Sequence, residues 1–185
     1  MVIRIKKIQM KKIVLIIIII IGSCTAMLSQ DSTKQLVFEY SNAIYGTGAI
    51  GGLWGTFNLN YERQVRTTKI NLFKSVGVRF GSGYWATWGS TGPHVILTPV
   101  FLSGTGKHHF ESSIGGTLLY DQSSYEIGVS NAEYFGEQIP SRTQYMIFAP
   151  AGTLGYRFQK PDGKFIFRTG AGFPDIVYIS FGASF

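Results

Sequence analysis

Three histidines are the first residues with types suited to chemistry, and two of them, His108 and His109, are adjacent. Neighbouring side chains on a strand point to opposite faces, so this pair does not chelate one ion from the same side. A metal centre needs three or four converging ligands, and beside Lys107 at a turn the two histidines are expected as interfacial residues. His94 closes the stretch "WGSTGPH", four residues after Ser90. A hydrolase built on that pair needs the serine activated by the base and a site for the oxyanion. Nothing in the stretch resembles a nucleophile elbow, so His94 is expected as a polar residue at a boundary. Cys24 is the only cysteine, which excludes disulfides within the chain and cysteine metal sites. The glycine-rich "GTGAIGGLWG" lacks the strand and helix of a nucleotide-binding unit. No enzyme activity, metal or cofactor is therefore expected.

The elements that position these residues begin with a leader. Arg4, Lys6, Lys7, Lys11 and Lys12 precede nine apolar residues, Ile13 to Ile21. A helical bilayer span needs about 20 such residues, so the run reads as the core of an export signal. Translation from Met10 gives a conventional signal as well, and both starts stay open. Residues 1–30 are taken as a cleavable signal peptide, with cleavage near Gln30, and 31–185 as one domain. A competing reading takes "IGSC", ending at Cys24, as a lipoprotein box. The formal charge of +7 is concentrated in that leader. The remainder carries 12 basic and 10 acidic residues, a formal +2. With no basic patch or recognition helix left, nucleic-acid binding is not expected.

Beyond Gln30 the 3.6-residue period is nearly absent, and segments rich in Tyr, Phe, Val, Ile and Gly alternate with period two. Eight strands are expected, at 36–45, 53–64, 70–84, 93–102, 108–120, 144–158, 164–173 and 176–185. "VRTTK", "SGTGK" and "QKPDGK" read as compact turns. "GTGAIGG", "WATWGSTG" and the segment 121–143 read as longer loops on the other side. Short turns alternating with longer loops suit an all-β, eight-stranded antiparallel up-and-down transmembrane β-barrel behind the signal peptide.

Within "LWGTFNLNYER", Leu53, Phe57, Leu59 and Tyr61 share one face, while Thr56, Asn58, Asn60 and Glu62 share the other. A soluble barrel buries the apolar face; a membrane barrel turns it to lipid and lines the interior with polar residues. Glu39, Glu62 and Glu111, with Arg79, Arg157 and Arg168, fall on the polar faces. Arg on a lipid face costs about 2 to 4 kcal/mol, so these six are expected as an interior charge network. Trp54, Tyr84, Trp85 and Trp88 cluster near proposed outer strand ends and read as an aromatic belt, with a carbohydrate platform as the alternative. The last strand aligns Val177, Ile179, Phe181, Ala183 and Phe185.

That final pattern, "YISFGASF", resembles the recognition signal read by the barrel-assembly machinery, carried here by Val177, Ile179, Phe181 and Phe185. Together with "NLNYERQ", "GKHHFESSIGGTLLY" and "GTLGYRFQKPDGKFIFRTGAGF", it is similar to a widespread family of small outer-membrane barrels of the OmpA-like, eight-stranded type. The resemblance implies the architecture and supplies no catalytic or binding residues. It leads to an integral outer-membrane protein, monomeric or weakly associating, surrounded by outer-membrane lipids, with both termini periplasmic. A structural or surface-interaction role is expected, with the 121–143 segment meeting an extracellular ligand of unknown identity. A lipid-modifying hydrolase using His94 is the alternative, and a conduit for small or apolar molecules comes third.

Overall fold

The computed structural model describes residues 38–67 and 72–185. The leader, Cys24, both candidate starts and the cleavage site near Gln30 lie outside the described residues. Eight strands follow in order: β1 (Asn42–Gly51), β2 (Trp54–Thr67), β3 (Ser75–Thr87), β4 (Thr91–Leu102), β5 (His108–Tyr120), β6 (Met146–Gln159), β7 (Phe165–Phe173) and β8 (Val177–Ser184). Each pairs antiparallel with the next, and β1 pairs with β8 from Ala43↔Ser184 to Ile50↔Val177, closing an up-and-down barrel. Closure leaves no sheet edge with unpaired backbone groups.

The period-two alternation of the sequence becomes an inside and an outside. Along β2, Thr56, Asn58, Asn60, Glu62 and Gln64 are buried, whereas Phe57 is 65% and Leu59 60% exposed. The interior has room for its large polar side chains because glycines face them. Asn58 lies against Gly83, Asn60 against Gly81, Tyr45 against Gly182 and Tyr178 against Gly170, each pair in direct register. A methyl group on any of these glycines would collide with its neighbour.

β1 lies six residues later than expected. "GTGAIGG", assigned to a loop for its glycines, supplies the second half of the strand, with the buried Tyr45 and Thr47 pointing inward. Two flanking strands provide the hydrogen-bond ladder whatever the side chains, so tertiary pairing outweighs the weak strand preference of glycine. The actual turn is Gly52 and Leu53, with Gly51 paired to Trp54. Gly52 has φ +65°, the left-handed conformation that tight hairpins demand and glycine adopts freely.

The alternation of short turns and long loops is also corrected. At one rim, here called the mouth, the connections are 52–53, 88–90, 121–145 and 174–176; the opposite rim carries 68–74, 103–107 and 160–164. Apart from 121–145, the mouth connections are the shorter set. That long segment is not a plain loop either: it contains helix α1 (Gln122–Phe135) and a 3₁₀ turn, Arg142–Tyr145. Asp121 caps α1, accepting from the Ser124 amide at 3.0 Å, and Gly136 ends it at φ +68°. An Asp N-cap and a terminal glycine are the two helix signals the sequence carried.

Candidate functional site

The barrel interior holds a set of charged side chains contributed by four strands. Arg157 on β6 reaches Glu62 on β2, with Nη2 at 2.5 Å from Oε2 and Nη1 at 2.8 Å from Oε1. Its Nε donates to Glu111 Oε2 at 2.7 Å. Arg168 on β7 donates from Nε to both Glu111 oxygens, at 3.0 and 2.9 Å, and from Nη2 to Oε1. β2 and β6 stand four strands apart in a ring of eight, so the Glu62–Arg157 pair crosses the lumen from wall to wall. Arg157 and Arg168 are register partners, and Glu111 bridges these two like charges. Tyr45 completes the group: its hydroxyl donates to Glu62 Oε2 at 2.9 Å, and the Arg168 guanidinium lies 4.3 Å from its ring centroid. Such bidentate, charge-assisted bonds are the geometry in which a buried ion pair recovers its desolvation.

Two members of the expected network stand apart. Arg79 is buried and register-paired with Glu62, but Arg157 and Tyr45 take both Glu62 oxygens. Arg79 Nε donates instead to Thr98 Oγ1 at 3.1 Å, and its Nη2 has no hydrogen-bond partner. Glu39 is not in the interior. It is exposed and precedes β1, with its backbone amide bonded to Pro161 O at the rim opposite the mouth. The displacement of β1 is the physical reason.

Nearer the mouth a second polar group forms. Asp175, in the 174–176 turn, is buried and accepts from Thr56 Oγ1 at 2.7 Å and Asn58 Nδ2 at 2.8 Å. Trp54 and Trp85, diagonal neighbours across the β2–β3 pair, stack with centroids 5.1 Å apart and planes at 13°. Trp85 is thus buried in the interior instead of lying in an outer belt, and Trp54 shares its face. Both follow the inward parity of β2 and β3, which placement near a strand end had hidden. Tyr84 and Trp88 do point outward.

The histidines divide in three ways. His94 is buried, and neither ring nitrogen has a hydrogen-bond partner. The Ser90 side chain bonds Asp121 and no hydrogen bond joins it to His94, so the structure does not bring the Ser90–His94 pair together. His109, expected at the interface, is buried instead, held by the Ser103 and Gln159 carbonyls and packed on Phe38. His108 faces outward, Nδ1 at 2.6 Å from the Tyr156 hydroxyl. Among the described residues no group of three His, Cys, Asp or Glu is placed to hold a metal.

The outer face carries an aromatic chain that sequence reasoning passed over. Phe165, Phe158, His108, Tyr156, Phe167 and Phe181 follow one another in ring contact near the rim opposite the mouth, at centroid distances from 6.5 Å for Tyr156–Phe167 to 5.3 Å for Phe167–Phe181. Period-two counting over β5 to β8 would have found it. Val177, Ile179, Phe181 and Phe185 are all exposed on this same outer face.

No protein-family model matches the chain and no curated protein matches it.

Proposed function

We propose that this protein is an integral outer-membrane barrel with a structural or surface-interaction role, its outer face in contact with lipid. One observation carries the reading: the polarity of the barrel is inverted relative to a water-soluble one. Arg157, Arg168 and Glu111 are 0% exposed, while Ile114, Phe148 and Phe57 are 65% exposed or more. Contiguous apolar surface on this scale is a liability in water and a requirement in hydrocarbon. No described helix is long and apolar enough to cross a membrane.

The side chains inside an eight-stranded barrel can fill its interior, and the Glu62–Arg157 link spans it from wall to wall. That supports a scaffold over a general pore. In this proposal the mouth faces outward, both termini are periplasmic, and the 121–145 segment presents α1 to an extracellular ligand. The apolar residues of β8 serve as the signal for the assembly machinery. Cell fractionation with gel migration of unheated and heated samples tests the location. Recovery with the outer membrane and a heat-dependent shift are expected; recovery as a soluble protein would remove the reading.

A further inference from the structure

The surface charges of the barrel are divided between its two rims. At the rim opposite the mouth, among the described residues, the exposed cations Arg63, Lys107, Lys160 and Lys164 stand against Glu39 and Asp162, with Lys74 half-buried beside them. At the mouth the order reverses: Glu126, Glu133 and Glu137 are exposed against Arg142, with Asp121 half-buried. The four exposed cations also sit where the apolar rows of the outer face end. On β2 the outward row runs Phe57, Leu59, Tyr61 and then Arg63. Lys107 precedes the outward His108, Lys164 precedes the outward Phe165, and Lys160 follows β6 just past Phe158. His108, Phe158 and Phe165 belong to the aromatic chain of this rim. The Lys164 ammonium itself lies 5.6 Å from the centre of the Tyr40 ring. Toward the mouth the outward rows finish on uncharged residues such as Ile50, Tyr84, Phe148 and Val177.

From this one-sided arrangement we infer that the rim opposite the mouth binds the headgroups of anionic phospholipids, of the phosphatidylglycerol class, in the leaflet that surrounds it. The inference rests on the lipid-facing reading above and adds the kind of lipid. Rings at the end of an apolar band mark the level of the headgroups. Lysine and arginine stems lie along apolar surface while their charged ends reach outward, which places the four cations at the height of lipid phosphates. Ammonium and guanidinium groups donate only, and their bonds to phosphate are charge-assisted. A zwitterionic headgroup sets a cation of its own beside each phosphate, whereas an anionic one presents the phosphate alone, so charge complementarity selects the anionic lipid. The acidic mouth offers no such match, and the selectivity belongs to one rim.

The test compares the full wild-type chain with a variant combining Lys107→Gln, Lys160→Gln and Lys164→Gln. Each is folded into vesicles of phosphatidylcholine alone and of phosphatidylcholine with about 30% phosphatidylglycerol, at low salt. In urea unfolding, the variant is expected to lose about tenfold more of its folding equilibrium constant in the phosphatidylglycerol vesicles than in the neutral ones. Added salt should shrink that excess. Combining Glu126→Gln, Glu133→Gln and Glu137→Gln at the mouth should produce no such loss. Equal losses in the two lipids, or an excess that salt leaves unchanged, would overturn the inference. Should the triple lysine variant fold in neither vesicle, its three single substitutions decide. Each is expected to carry part of the excess, and lipid-independent behaviour of all three overturns the proposal. A wild-type chain that inserts but shows equal losses removes this inference alone, whereas one that inserts into neither vesicle removes the lipid-facing reading with it.

Discussion

Arg157 and Arg79 are both buried arginines on inward-facing positions, yet their losses have different consequences. Arg157 holds Glu62 and shares Glu111 with Arg168, so Arg157→Met leaves the buried Glu62 carboxylate without its guanidinium, a loss of about 3 to 5 kcal/mol. Arg79→Met strands none and gives up a bond to Thr98. Urea unfolding in detergent should show a large fall in midpoint for Arg157→Met and a much smaller change for Arg79→Met. Equal midpoints would mean that Glu62 and Glu111 are not the partners that define the network. Five of the six expected charges, all but Glu39, were legible as inward because of parity alone. Which carboxylate met which guanidinium was not, because Glu62 bypasses its register neighbour Arg79 for a residue on the far wall.

At the scale of elements, α1 is the departure from the all-strand pattern. Partial burial pushes the Asp121 carboxyl upward, but hydrogen bonds from the Ser124 amide and hydroxyl, with Ser90 and Ser123, outweigh it and hold the group below its ordinary value. A carboxyl depressed in the folded state contributes stability that is fully present above its unfolded pKa of about 3.9. That contribution fades as pH falls below that value toward the folded one. Amide exchange over 122–125 should therefore accelerate as pH is lowered through about 4, beyond the intrinsic pH dependence of exchange. In Asp121→Ala that extra acceleration should vanish, with helix stability lower by about 0.5 to 2 kcal/mol at neutral pH. An unchanged acid response in the variant would assign it to another group. The helix escaped period counting because its faces are mixed. Ala132 is buried, while Ile127, Tyr134 and Phe135 are exposed beside exposed Glu126 and Glu133.

For the whole molecule the decisive variable is what surrounds the barrel. Leu59, 60% exposed at mid-strand on β2, discriminates the two environments. In hydrocarbon Leu59→Arg costs about 2 to 4 kcal/mol, whereas on a water-facing surface most substitutions stay within about 0.5 kcal/mol. Folding equilibria measured into phospholipid vesicles should show the larger loss. A neutral result would place β2 in water and remove the lipid-facing role proposed for the outer face.

The amino-acid sequence determined the barrel through side-chain parity, since a strand commits every second residue to one face and the charges could only share the inward one. Phe57, Leu59 and Tyr61 against Asn58, Asn60 and Glu62 carry that information locally, within one strand. Tertiary structure decided whatever depended on neighbours distant in the chain. β1 extends through Gly46 and Gly48 because β2 and β8 pair with it on both sides. Trp54 and Trp85 stack because the pairing of β2 with β3 brings them together. Glu39 drops out of the network because β1 begins after it. Parity is a property of one strand and is written there, but counter-charges, ring stacks and ladder ends are settled only when the eighth strand meets the first.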